Sequence, residues 1–149
     1  MNNSEYDKRL KIETRVFDIG ALNDYRFVVI FARYNGMWIY SRRHDRDTWE
    51  TAGGHIEPGE SPDDAARREL WEETGSVKFD IQPAFDYSVH TPTEFSNGRV
   101  YFAEVYELGK LPDFEMSEIT TSNTYPEKLT YPEILPVLFK QINKVSPSI

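Results

Sequence analysis

Two hydrophobic periods run along the chain, and the places where one gives way to the other mark its elements. Phe27-Val28-Val29-Ile30-Phe31-Ala32 and Met37-Trp38-Ile39-Tyr40 are β-branched and aromatic runs flanking Asn35-Gly36. That pattern predicts a tight antiparallel hairpin through a primed turn. Looser alternation predicts an earlier strand over residues 10–17, two more strands or one bent one over 77–81 and 84–89, and a further strand over 99–106 after a break at 93–98. Residues 61–75 switch to helical punctuation: Ser61 is a good N-cap, Pro62 suits the first helical position, Asp64 sits where a capping acid belongs, and Gly75 fits a left-handed stop. A helix over 62–74 follows. Near the carboxyl end, apolar residues at 134, 135, 138, 142 and 145 predict an amphipathic helix, with Pro136 near its start or kinking its first turn. Residues 108–131 are polar and proline-bearing, and read as a long loop of the kind that faces a substrate or serves as a lid.

With no internal repeat, low-complexity tract or linker, these elements predict a loose segment over 1–8 and one α+β domain over 9–149.

The predicted internal helix carries unusual chemistry. Glu69, Glu72 and Glu73 are related by three and four residues and project from one face within roughly a 100° arc. Like charges at those spacings cost about a few tenths of a kcal/mol per pair in an isolated helix. A divalent cation reverses the sign of that term. Hard oxygen donors suit Mg²⁺ or Mn²⁺, and Mg²⁺ usually shares its coordination among carboxylates, waters and substrate phosphates.

Composition narrows the alternatives. The 149 residues contain no cysteine, which removes disulfides, thiolate metal sites and cysteine nucleophiles together. The formal charge of −8 argues against a long nucleic acid as partner, while a small phosphorylated ligand remains compatible if a metal supplies the positive charge. No run is apolar and long enough for a membrane span, and the first residues lack the basic and apolar regions of a signal peptide, so the cytoplasm is the expected compartment. The oligomeric state, monomer or homodimer, is left open.

Reading from Gly54, the chain shows a glycine, five residues, Glu60, seven residues, Arg68-Glu69-Leu70, one residue, Glu72-Glu73, one residue and Gly75. This resembles the signature of the Nudix hydrolase family (MutT-like enzymes acting on a nucleoside diphosphate linked to another group) at every charged and glycine position. It departs at Ser76, where the pattern ends on an aliphatic residue, and at Thr51-Ala52, where an apolar residue and proline commonly precede the glycines. The resemblance implies an α/β/α sandwich with a mixed β-sheet, a catalytic loop-helix and a C-terminal helix. It implies Mg²⁺- or Mn²⁺-dependent cleavage of a diphosphate bond in a nucleoside di- or triphosphate or a derivative, with nucleotide-pool sanitising as one such role.

Carried over by position, the resemblance makes Glu69, Glu72, Glu73 and the Gly53 carbonyl a metal shell, with Glu69 alternatively the base that takes a proton from the attacking water. Arg68 would orient a glutamate. Glu57 and Glu60 would hold the loop to the helix or reach metal-bound water, and Gly54, Gly59 and Gly75 would shape the motif. Glu118 and Glu115 are candidates for a further carboxylate from the later loop. Arg42, Arg43 and Arg46 belong to a mixed-charge stretch that reads either as a solvated turn or as a phosphate contact. His55 and His90 read as structural, since neither has a partner at metal-binding spacing, and Trp38, Trp49, Tyr87 and Tyr101 read as core. Isomerase relatives acting on isoprenoid diphosphates depend on a cysteine, which is missing here. Pro132 lies where some sanitising enzymes place a base-reading asparagine, so guanine specificity is not expected from that position. The alternative function is a module on the same scaffold that senses a nucleotide derivative.

Overall fold

The computed structural model describes residues 12–146. In order, the elements are β1 (Glu13–Phe17), β2 (Tyr25–Tyr34), β3 (Met37–Arg43), β4 (Trp49–Glu50), β5 (Ala52–His55), α1 (Pro62–Thr74), β6 (Ser76–His90), β7 (Phe95–Leu108), β8 (Met116–Ser122) and α2 (Leu135–Val145). The β2–β3 hairpin turns where Asn35-Gly36 predicts, with both residues at positive φ, 51° and 78°. That conformation matches the twist of the strands it joins.

One sheet results, ordered β1-β6-β7-β2-β3-β4, with β5 on β2 and β8 on β3. β2 pairs in parallel with β7, and the other ladders are antiparallel, so the sheet is mixed. Its central strands are apolar on both faces. Val28, Ile30, Tyr101 and Ala103 pack towards Ala65, Ala66 and Leu70 of α1, while Phe31, Val100 and Phe102 pack towards Leu135, Leu138 and Ile142 of α2. The α/β/α sandwich is therefore built by alternation in two strands. Complete burial of Leu70 alone contributes roughly 2 kcal/mol.

Several expectations change in detail. Of the two alternatives over 77–89, the single strand forms, with a register shift between Pro83 and Phe85, where proline cannot donate to the ladder. The break expected at 93–98 lies earlier, where the Thr91 amide donates to the Glu94 carbonyl at 2.8 Å. Asn97-Gly98 is strand, and a Cβ on Gly98 would run into the Tyr87 ring, so this glycine marks close packing rather than a turn. The expected long loop over 108–131 contains β8, a polar edge strand whose buried anchor is Met116. β3 continues through Arg43, which makes Arg42 and Arg43 strand residues instead of loop residues. The expected strand over 10–17 starts at Glu13, residues 10 and 11 lie outside the described residues, and so does the expected loose segment 1–8. Pro136 occupies the first turn of α2, where its missing N–H leaves no helical bond unmade. Trp38, Tyr87 and Tyr101 are core residues and Trp49 is half-buried.

Candidate active site

Two short elements bring the acids together. Gly53 and Gly54 lie in β5, and both need the absence of a side chain: a Cβ on Gly53 would sit 2.5 Å from the Val28 carbonyl oxygen, and one on Gly54 would sit 2.9 Å from the Glu69 carboxyl carbon. This contact lets β5 run directly against α1. The helix starts where the Ser61 hydroxyl accepts from the Asp64 amide at 3.1 Å and ends at Gly75, φ 76°, whose N–H donates to the Trp71 carbonyl at 2.9 Å. Ser41 on β3 donates to the Glu73 carbonyl at 2.6 Å, fixing the last turn beneath the sheet.

α1 buries Glu69 and Glu73 on its inward face beside Ala65, Ala66 and Leu70. Arg68 organises the outer part of the site. Its Nε and Nη2 donate to the two oxygens of Glu60 at 2.7 and 3.0 Å, its Nη1 donates to Glu69 at 2.6 Å and Glu72 at 3.4 Å, and Nη2 also reaches the His55 carbonyl at 3.2 Å. Glu57 is a looser partner at 3.7 Å. Glu60 thus has both oxygens on Arg68 and ties the loop through Gly59, φ 81°, to the helix. Deeper in, Glu73 Oε1 accepts from the Gly53 amide at 3.0 Å and has no guanidinium beside it among the described residues.

Burial dominates the titration of the inner acids. It raises Glu69 to about 7 against the pull of Arg68, with Glu72 and Glu115 adding repulsion. It raises Glu73 to about 9, reinforced by the charge of Glu69 and opposed by the Gly53 amide. Glu50 on β4 is also raised by burial, and its Oε2 has no hydrogen-bond partner among the described residues, with Arg46 3.8 Å away. Arg68 is held protonated more firmly than usual, chiefly by its bonds to Glu60. The site is a pool of acids that pay for ionisation.

These acids line one end of a cleft of about 620 Å³. Glu50, Glu69, Glu73 and Glu115 form that end with Gly53 and Arg43, while Val29, Phe31, Tyr87, Val89, Leu135 and Leu138 supply apolar surface and Thr91, Glu94 and Ser96 further polar groups. Glu115, not Glu118, is the later carboxylate that reaches it. Glu118 pairs with Arg42 across β8 and β3 at 2.8 Å. Arg42 is fully engaged, also donating to Ser117 and to the carbonyls of Arg43 and Arg46. Arg43 lines the cleft and pairs with Glu115 at 2.5 Å, whereas Arg46 lies in a neighbouring open groove that shares Tyr131 with the cleft. His55 packs on Phe27 at 4.5 Å, and His90 meets the Ser88 hydroxyl at 3.1 Å. Glu50 and Ser41 escaped the sequence reading. An acid alternating with Trp49 just before a double glycine was the available signal for Glu50, and Ser41 left none.

Against known proteins, the NUDIX domain profile matches residues 22–128. The chain belongs to the Nudix hydrolase family. The putative 8-oxo-dGTP diphosphatase YtkD of Bacillus subtilis is 31% identical over 106 residues, 70% of this chain and 66% of that protein. RNA pyrophosphohydrolase of Pectobacterium atrosepticum is 37% identical over 54 residues, covering 36% of this chain and 30% of that one. The chain thus matches just under two thirds of the first relative and less than a third of the second. Among solved structures, a point mutant of the Bacillus subtilis pyrophosphohydrolase BsRppH superposes with a TM-score of 0.75 at 26% identity, covering 92% of this chain and 94% of that one.

Nudix proteins are generally dependent on divalent metals, and the donor set here fits such an ion: hard oxygens, buried, costly to ionise alone, one with no hydrogen bond. Among the described residues no three acid or histidine side chains already converge as a cage. Glu69 and Glu72 are turned instead onto Arg68, which acts as their counter-charge. No described helix is long and apolar enough to cross a membrane.

Proposed function

We propose that the protein is a Mg²⁺- or Mn²⁺-dependent pyrophosphohydrolase that cleaves a phosphoanhydride bond in a nucleoside di- or triphosphate or a derivative. The observation that carries this is the buried pair Glu69 and Glu73, of which only Glu69 has a guanidinium beside it, in a cleft that also presents the apolar side chains of Val29, Phe31, Tyr87, Val89, Leu135 and Leu138. An apolar wall suits a planar base, and the acidic end then receives the phosphates only when a cation accompanies them. Glu69, Glu72, Glu73 and the Gly53 carbonyl would hold that cation, with Glu115 as the further carboxylate. Bound there, Mg²⁺ or Mn²⁺ supplies Lewis acidity towards phosphoryl oxygens and a more acidic water.

The chain's own residues do the rest. Arg68 keeps Glu69 oriented by a 2.6 Å hydrogen bond and is itself held by Glu60, so the orientation survives when Glu72 turns away. Glu69, or Glu115 in the same cleft, would accept a proton from the attacking water. Arg43 at the acidic end is available to the phosphates once it leaves Glu115.

The relatives' names divide between an oxidised nucleotide, 8-oxo-dGTP, and RNA, and both name cleavage of a diphosphate or pyrophosphate linkage. The net charge of −8 disfavours a long polyanion lying along the surface but not entry of its terminal phosphates alone. A panel of nucleoside triphosphates, oxidised guanine nucleotides, nucleotide sugars, dinucleoside polyphosphates and a 5′-triphosphorylated oligonucleotide should give phosphate or pyrophosphate release in Mg²⁺ or Mn²⁺. Glu73→Gln should abolish release while the circular dichroism spectrum is unchanged. Full residual turnover in that variant overturns the assignment, and no turnover of any substrate by the wild type favours the sensing module.

A further inference from the structure

Seven residues, 109–115, join the end of β7 to the start of β8 and deliver Glu115 to the cleft. The segment is anchored at both ends by backbone. At its start the Gly109 amide donates to the Gly75 carbonyl at 2.7 Å, and at its end the His44 amide donates to the Glu115 carbonyl at 3.1 Å, with Met116 buried behind it. Between those anchors Phe114 packs on Trp71 of α1, ring centroids 5.9 Å apart at 74°. Both rings are substantially exposed, 54% and 43%, so neither belongs to the core. Trp71 lies between Leu70 and Glu72 on α1, and Phe114 directly precedes Glu115.

We infer that Trp71 and Phe114 are positioning residues for Glu115: their edge-to-face pair clasps the segment to the helix that carries Glu69, Glu72 and Glu73, and so sets the distance between the loop carboxylate and the helix carboxylates. The inference rests on the hydrolase reading for the role of Glu115. Its physical basis is that a carboxylate on a connecting segment is placed only as well as that segment is held: the His44 bond holds the carbonyl side of Glu115, while on its amide side the Phe114 N–H bonds only within the segment, to the Pro112 carbonyl at 3.0 Å, so the Phe114 ring is what ties that side to α1. Edge-to-face rings fix both separation and angle, which an aliphatic contact does not. Arg43 holds the tip of the Glu115 side chain at 2.5 Å and the His44 amide holds its carbonyl, which leaves the approach through Phe114 as the part that the ring pair sets.

The test uses the full chain as wild type, Phe114→Ala, Phe114→Tyr, Glu115→Gln and the Phe114→Ala/Glu115→Gln double variant. Mn²⁺ affinity is read from the electron paramagnetic resonance signal of the free ion, kcat and KM from the best substrate of the panel, and mobility from hydrogen exchange over residues 109–116. Phe114→Ala should weaken Mn²⁺ binding and kcat by roughly two- to tenfold, the range an aromatic pair's coupling supports, with KM unchanged. Exchange over 109–116 should quicken, and Phe114→Tyr, which keeps the ring, should restore all three. The double variant should be no worse than Glu115→Gln, because Phe114 acts only through Glu115. Additive losses in the double variant, an unaffected Phe114→Ala, or a Glu115→Gln indistinguishable from wild type overturns the clasp. A wild type that binds Mn²⁺ without turning over any substrate overturns the hydrolase reading while the affinity comparison still decides the clasp, and a wild type that does neither overturns both.

Discussion

Raising the pH from about 5 to about 8 should weaken the metal-free protein, and Glu73 should be the chief reason. The residue is 5% exposed and its carboxyl is raised from 4.5 to about 9. Between those values the folded chain keeps a proton that the unfolded chain has released, so stability falls by about 1.4 kcal/mol per pH unit. From about pH 5 to about pH 8 the loss is about 4 kcal/mol, a large part of the roughly 5–15 kcal/mol that holds an ordinary domain together. Glu69, raised to about 7, acts with the same sign, and because the two carboxyls repel each other their contributions overlap instead of summing. Glu60 is lowered by Arg68 and has the opposite sign: its contribution is complete above 4.5 and is lost only as the pH falls below that. It therefore does not mask the effect. Urea unfolding in EDTA, followed by far-ultraviolet circular dichroism at half-unit steps, should show wild-type stability declining with pH. Glu73→Gln keeps an oxygen for the Gly53 amide and cannot ionise, so its curve should be flatter and should cross above the wild type by about pH 8. A wild-type curve that is flat or rising, or a variant curve parallel to it, refutes the reasoning.

Gly54→Ala and Gly53→Ala, neighbours in sequence, should separate activity from stability. The new Cβ of Gly54→Ala meets the movable end of Glu69 at 2.9 Å, so turnover and Mn²⁺ affinity should fall together while the unfolding free energy from urea titration changes by less than about 1 kcal/mol. The Cβ of Gly53→Ala meets the Val28 carbonyl at 2.5 Å, so β5 must leave β2, at a cost of about 1–3 kcal/mol read from the same melts. Asp86, fully buried, accepts from Gly20 N, Leu22 N, Tyr25 Oη and Arg99 Nε at 3.1, 3.0, 2.6 and 3.3 Å. Asp86→Ala leaves Arg99 facing no carboxylate and should cost about 3 kcal/mol, with substrate KM unaffected in the folded fraction.

What the sequence made legible follows the strength of local constraint. Asn35-Gly36, Ser61-Pro62 and Gly75 each demand one backbone geometry, and each adopts it. β8 could not be read this way, because Met116 is its sole buried residue and its half-buried and exposed positions carry no clear alternation. Missing β8 left Glu115 and Glu118 equivalent. Once β8 pairs with β3, Arg42 stands opposite Glu118 and claims it, while Glu115 falls before the strand and faces the cleft. Gly98 shows the converse error: glycine after asparagine suggests a turn, yet the constraint is the Tyr87 ring lying on it, a contact between residues 11 positions apart that no local pattern records.

The triad of acids was legible in identity but not in energy. On a solvated helix face, three glutamates at those spacings repel by about a few tenths of a kcal/mol per pair, which a fold tolerates without any ligand. Placing Glu69 and Glu73 on the inward face changes the scale, because a carboxyl raised to about 9 loses about 1.4 kcal/mol for every unit by which the pH exceeds its unfolded value. Arg68 compensates Glu69 but makes no hydrogen bond to Glu73, and the Gly53 amide supplies Glu73 with one hydrogen bond and no charge. A side chain that packed as well as glutamate without ionising would remove that cost, so stability alone gives no reason to keep an acid there. The proposed cation, arriving with phosphates, would supply one, since it would turn the same burial from a penalty into stronger attraction. On the proposed function, the depth of Glu73, more than the number of acids around it, is what would tie the architecture of α1 to phosphoanhydride chemistry.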